Sequence, residues 1–381
     1  MSAPRFLVLV GASMLALAAP AGAADVQKIA GGLDNPRHLA FGGKDLYVAE
    51  AGRGGDGPCF PGEEGGTSCV GATGAVTVVR RDGEQYRLVS GLASMADQGT
   101  GANAIGPHGI DVNGWDQVLV TNGGPTGANR DDLAKLNPVA DLFGRVLSID
   151  GDGGIQRLVD VWGFERDNNA DAQVGNPAVD SNPVDVIAGH RRLVIADAGG
   201  NSLLKAGRDG SVEVLSLFAN RQVKDPFGPG QIPMQAVPTG VVKGPDGAYY
   251  MSQLTGFPFP VGGANVYRVD RHTGEAAVFA GGFTNIMDLT FDGDGTLWVL
   301  EIDHDSLLGG TTDGAIYSVD SSGQKTLLDL PAGTLTAPGG ITVGDDGALY
   351  VTNDTTSAGG GEVLRIDVGA GGADHGRGHG D

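Results

Sequence analysis

The chain has 381 residues and a formal net charge of −21, which argues against nucleic acid and anionic membrane surfaces as partners. Its hydrophobic content of 40% is enough for a large core. The 67 glycines show no collagen-like period, and so point to a turn-rich all-β protein.

Residues 1–23 read as a secretory signal peptide. Arg5 is the one charge, residues 6–19 are apolar, and Ala21-Gly22-Ala23 is an A-x-A cleavage site. A membrane anchor is the alternative, for which the apolar run is short. The mature protein is therefore expected to be secreted or periplasmic, monomeric and free of the membrane.

Residues 26–31 read as a strand. From Pro36 onward one pattern recurs six times: Pro-x-(His/Asp/Gly)-apolar-x-apolar, a tight turn, then apolar-x-apolar-x-polar. The copies open at Pro36, Pro107, Pro183, Pro238, Ile286 and Pro338. Their second halves are LYVAE, VLVTN, LVIAD, YYMSQ, LWVLE and LYVTN. Short strands in a long repeat predict a six-bladed β-propeller. Blade one takes residues 38–41, 46–50, 75–80 and 86–91; blade two takes 109–112, 118–122, 145–149 and 156–161. Blade three takes 185–187, 193–197, 202–206 and 212–217; blade four takes 240–243, 248–253, 265–269 and 276–280. Blade five takes 288–291, 297–301, 315–319 and 325–330. Blade six has only 340–343, 348–353 and 362–367. The strand at 26–31 supplies its missing member and closes the ring, so the propeller spans residues 24–368. Residues 369–381 form a low-complexity Gly/His-rich tail, whose His375 and His379 are not counted as ligands.

Two classes of connection follow. Turns such as GGK, KGPDG and GDDG carry Asp-Gly hairpin chemistry. The DGDG stretches at 150–153 and 292–295 lack the EF-hand pattern and read as turns. His190 falls in one such turn, facing away from the long connections. Those long connections, at 51–74, 93–106, 123–144, 163–182, 220–237, 255–264 and 303–314, emerge on one face. Long loops on a rigid scaffold are where function concentrates. The only cysteines, Cys59 and Cys69, share the first of these loops. A disulfide is the simplest reading in an exported chain; a two-cysteine metal site lacks C-x-x-C spacing and a nearby histidine.

At the same face the second strands end in Glu50, Asn122, Asp197, Gln253, Glu301 and Asn353. Clustered carboxylates repel unless a cation, water or hydrogen bonds compensate. Glu50, Asn122, Asp197, Glu301 and Asn353 are therefore the expected ligands of a divalent cation, with a hydrated polar channel as the alternative. Oxygen donors favour Ca²⁺ over Zn²⁺. Arg37, His38, His108, Asp185, Thr239 and Asp288 lie near the starts of the first strands. His38 and His108 are the acid–base candidates, because imidazole titrates near neutrality. No G-x-S-x-G, Walker, Rossmann or H-E-x-x-H motif is present.

The stretch NPRHLAFGGKDLYVAEAGRGG, the Cys-bearing loop after it, GAVTVV, GPHGIDV and VPTGVVKGPDGAYYMSQLTGFPFP together resemble the ScyD/ScyE family. That resemblance implies an exported six-bladed NHL/TolB-like propeller and leaves the reaction open. More loosely, the chain is similar to gluconolactonase, paraoxonase and strictosidine-synthase-like propellers. In them Glu, Asn and Asp hold a metal over the pore, parts that Glu50, Asn122, Asp197 and Glu301 could play. Their E-G-P-x-W opening is absent here. Quinoprotein sugar dehydrogenases share a similar opening, but their Pro-Trp pair is Pro36-Arg37 in this chain. The expected function is metal-assisted chemistry on a small molecule at the pore mouth; a noncatalytic scaffold for a protein or glycan is the alternative.

Overall fold

The computed structural model describes residues 24–61, 66–113, 117–125, 128–189 and 191–369. The expected signal peptide, His190 and the tail histidines lie outside the described residues.

Six four-stranded antiparallel blades surround a central channel. Their innermost strands are Pro36–Gly42, Pro107–Asn113, Pro183–Ala188, Pro238–Lys243, Ile286–Phe291 and Gly340–Val343. These contact one another in sequence, and the last touches the first. The second strands are apolar almost throughout because neighbouring blades cover both of their faces. In Arg192–Asp197, for example, only Arg192 is exposed. Between blades two and three, Leu119, Val146, Val186, Leu193, Ile195 and Leu204 form one shared core.

Ring closure follows the sequence expectation. Asp25–Asp34 pairs antiparallel with Ala358–Asp367, setting Val26 opposite Ile366 and Gly31 opposite Glu362. Ala30 and Leu33 from that strand join Leu39, Leu46, Val48 and Val363 in the core between the last blade and the first.

Several segments expected as loops are ordered instead. The third and fourth strands of blade one run from Thr67 to Val79 and from Gln85 to Asp97. They extend past the blade as a long hairpin, with register shifts near Gly71 and Gly74. Cys59–Pro61 adds to its edge, with Cys59 paired to Cys69 and the two sulfurs bonded at 2.01 Å. The 220–237 connection holds a hairpin of Arg221–Lys224 and Gln231–Met234. Two short helices, Arg130–Leu136 and Val161–Asn168, are capped by the side chains of Asn129 and Asp160.

Candidate functional site

The polar residues ending the second strands are buried, but the structure does not gather them into one ligand set. Each has its own partners, within its blade or on the element beside it. Glu50 Oε2 accepts from the Asp34 N–H at 2.7 Å, and Oε1 from the Thr77 hydroxyl. Asp197 accepts from Ser181 Oγ and from the backbone N–H groups of Asn182 and Gly200. Glu301 Oε1 accepts from the Thr284 N–H at 2.6 Å, and Asn353 Oδ1 from the Thr336 N–H at 2.7 Å. Asn122 donates to the Ala93 carbonyl, and Gln253 accepts from Arg221. In most blades the partner lies just before the residue that opens the innermost strand. The polar termini therefore pin the chain where it enters each blade. The structure does not bring the expected ring of Glu50, Asn122, Asp197, Glu301 and Asn353 together as one ligand set; each has its own hydrogen-bond partners, and Asn122 Oδ1 and Glu301 Oε2 are buried without one.

A different group does converge. One donor atom each from His38, Asp185 and Asp288 lies within 4.8 Å of the others, and all three residues are buried. They come from the innermost strands of blades one, three and five. His38 Nδ1 stands 3.3 Å from Asp185 Oδ1. Both carboxylates also join blades. Asp185 Oδ2 accepts from the Val241 N–H of blade four at 2.7 Å, and Asp288 Oδ2 from the Ile341 N–H of blade six at 2.8 Å. Asp111 repeats the device with the Ala188 N–H at 2.6 Å. The remaining oxygens of Asp185 and Asp288 accept from Val186 and Leu289. A carboxylate oxygen has two lone-pair directions, so each keeps capacity for a further cationic partner.

The electrostatics follow from this arrangement. Burial opposes charge on His38, but Asp288 and Asp185 outweigh it and raise the imidazole to about 9. Burial raises Asp288 to about 7, with His38 opposing and Asp185 reinforcing the rise. His108, whose ring centroid is 5.1 Å from that of His38, is held well below its ordinary value by burial and by the nearby charges of His38 and Arg37. At neutral pH the two histidines therefore differ in state, one cationic and one neutral. The Nε2 atoms of both are buried without a hydrogen-bond partner.

Above this group lies a cavity of about 460 Å³. Arg37, His108, Asn182, Leu254, Met287 and Thr356 line it, one from each blade or its entering loop, as do Phe60, Pro61 and Ser68 of the disulfide hairpin. The loop-rich pore mouth is thus a real concavity. His108 lines its wall; His38 is packed beneath. Sequence reading placed Arg37, Asp185 and Asp288 near the pore but gave them no role. The apolar lining residues Met95, Ile105 and Met287 carried no signal beyond their position beside strand ends.

No family model matches the chain, and no curated protein matches it. Solved structures do. The chain is similar to a gluconolactonase of Xanthomonas campestris at 16% identity and TM-score 0.54, covering 91% of this chain and 90% of that one. It is similar to a Bacteroides thetaiotaomicron protein of unknown function at 12% identity and TM-score 0.54, covering 91% and 76%. An oxidoreductase-type protein of Thermus thermophilus, described as a glucose dehydrogenase, follows at 17% identity and TM-score 0.50, covering 90% and 99%. At these identities the likeness is one of fold: a six-bladed propeller.

Proposed function

We propose that this protein is an exported, ScyD/ScyE-like propeller enzyme that acts on a small organic molecule at its pore mouth. One observation carries the reading. A neutral imidazole, His108, lines a cavity shared by six blades, with an unpartnered Nε2 and a buried His/Asp/Asp group beside it. His108 is the proton acceptor, since a buried neutral imidazole can take a proton from a ligand held against it. His38, Asp185 and Asp288 are the residues that would hold a divalent cation. The imidazole nitrogen in this set favours a transition dication such as Zn²⁺ over Ca²⁺, the reverse of the preference that an oxygen-only ring implies. Such an ion would supply Lewis acidity toward a carbonyl or a water.

A specific observation favours the second reading, a noncatalytic binding propeller. The carboxylates of Asp185 and Asp288 already accept four backbone N–H bonds and face a cationic His38. Proton and hydrogen bonds could then satisfy the group without an ion.

Metal analysis of the purified protein, paired with melting curves with and without chelator, separates the two. The enzyme reading expects near-stoichiometric metal, lost in His38→Gln and Asp288→Asn, and a lower Tm on chelation. No metal, together with a Tm indifferent to chelator, Zn²⁺ and Ca²⁺, would leave the binding propeller.

A further inference from the structure

We propose that the ligand of the pore-mouth cavity is an organic anion, with its charge held at Arg37 and its apolar body against Met95, Ile105, Leu254, Met287 and Leu307. This rests on reading the cavity as a binding site, not on the presence of a metal or of turnover.

Arg37 lines the cavity wall, and its guanidinium donates to the Ala104 carbonyl at 2.5 Å. Among the described residues no carboxylate forms an ion pair with it. The two most buried ion-paired arginines are treated differently, while half-buried Arg221 also turns to neutral acceptors, Gln253 and the Gly263 carbonyl. Arg130 lies between Asp131 and Asp160, and Arg145 between Asp141 and Asp160. With 46 acidic residues against 25 lysines and arginines, carboxylates are plentiful. A guanidinium stays cationic at neutral pH. A half-buried guanidinium lacking a counter-ion favours an anion that brings one, and its planar fork matches a carboxylate or sulfonate.

The rest of the wall selects what the anion is attached to. Met95, Ile105, Leu254, Met287, Ile302 and Leu307 give it an apolar side next to its polar groups, and about 460 Å³ suits a molecule of drug-like size. Asp97 is the one acidic residue on the wall, and its Oδ2 accepts from Asn103 Nδ2 at 2.9 Å. It disfavours an anion at its own end, which directs the charge toward Arg37. The guanidinium is also held in place. Asn35, two residues earlier and at a φ of 48°, donates to the carbonyls of Gly52 and Gly101 and accepts from the Ala104 N–H. That fixes the segment whose Ala104 carbonyl orients Arg37.

A matched pair of fluorescent probes tests this: 8-anilinonaphthalene-1-sulfonate and N-phenyl-1-naphthylamine, which share an aromatic body and differ in the sulfonate. Phe227 and Phe257 form an exposed stacked pair elsewhere, so all measurements use a Phe227→Ser background. The anionic probe is expected to bind at least about tenfold more tightly than the neutral one, the scale of a hydrogen bond to a charged group. Arg37→Met should remove that preference while keeping affinity for the neutral probe; Arg37→Lys should retain part of it. Met287→Trp should weaken both probes by filling the cavity. Equal affinity for the two probes, a preference that survives Arg37→Met, or anion binding untouched by Met287→Trp would overturn the proposal. The enzyme reading fails separately. A metal-free protein that keeps the Arg37-dependent preference loses the enzyme and keeps the anion site. A metal-loaded protein with no charge preference does the reverse.

Discussion

Glu50 meets four donors at once: the Asp34 N–H, the Thr77 hydroxyl and two nitrogens of Arg87. Arg87 and Arg53 both reach Asp34, so the network ties the closing strand to blade one. Glu50→Ala strands these donors and is expected to cost on the order of 3 kcal/mol by urea denaturation, with metal content unchanged. A loss of metal in that variant would restore Glu50 as a ligand. The polarity of this position was legible in the sequence; its role was not. A strand end can be located by periodicity, but the N–H it meets belongs to a chain segment whose path only the fold defines. Other carboxylates are buried with less compensation. Burial raises Glu165 to about 8, helped by Asp197 and Asp171, while burial lifts Glu301 to about 7 and Asp197 to about 6. The folded state then binds protons that the unfolded chain has released between about pH 4 and 8, so stability falls as pH rises through that window. His108 opposes this only below its ordinary value of 6.5. The urea midpoint should be lower at about pH 8 than at about pH 5.5, and Glu165→Gln should flatten the difference. An unchanged slope in that variant would remove Glu165 from the account.

At the scale of elements, period-2 strands with Asp-Gly turns were readable, because alternation and turn chemistry are local properties. What escaped were elements whose stability is not local. The Arg130–Leu136 helix has seven residues, too few for a periodic signal, and depends on its Asn129 cap and tertiary packing. The blade-one hairpin contains Gly71 and Gly74, which read as loop; Gly71 allows close approach to the Gly54 backbone, where a Cβ would clash. The disulfide belongs to this hairpin. Cys59 and Cys69 are directly paired, and Phe60, Pro61 and Ser68 beside them line the cavity. In the chain-entropy model, closing so short a loop stabilises by roughly 2–3 kcal/mol. Because the Cys59–Pro61 strand sits at the edge of the hairpin, that loss should be spent locally. A Cys59→Ser/Cys69→Ser protein is expected to keep most of its Tm while weakening binding of the anionic probe. Hydrogen exchange would show the opening confined to residues near 51–74; a ring-wide rise in exchange would refute the local account.

The whole molecule is a closed ring, and its stability depends on the seam. The closing strand, Asp25–Asp34, buries Ala30 and Leu33 and half-buries Ile29 between the last blade and the first, and half-buries Val26 in the core between blades five and six. It also brings Asp34 into the Glu50, Arg53 and Arg87 network. Removing residues 25–34 exposes the edge of Ala358–Asp367, reopens two cores and leaves Glu50 and the arginines short of a partner. Apolar burial alone accounts for roughly 5 kcal/mol. Since every blade leans on its neighbours, the deletion should lower the single melting transition of the whole protein rather than create a second one. Such a loss could instead reflect a folding role for the N-terminal end, and the register offers a way to tell. Asp25 is paired with Asp367, so the strand and its partner meet at that end of the sheet. Residues 25–34 appended after residue 369 of the truncated chain need only a tight turn to return to the same place as a hairpin. The permuted protein is expected to recover most of the lost Tm, which differential scanning calorimetry would measure. A deletion with unchanged Tm would show that the seam carries no stability, and a permutant that stays destabilised would show that the strand acts through its position in the chain rather than through closure of the ring.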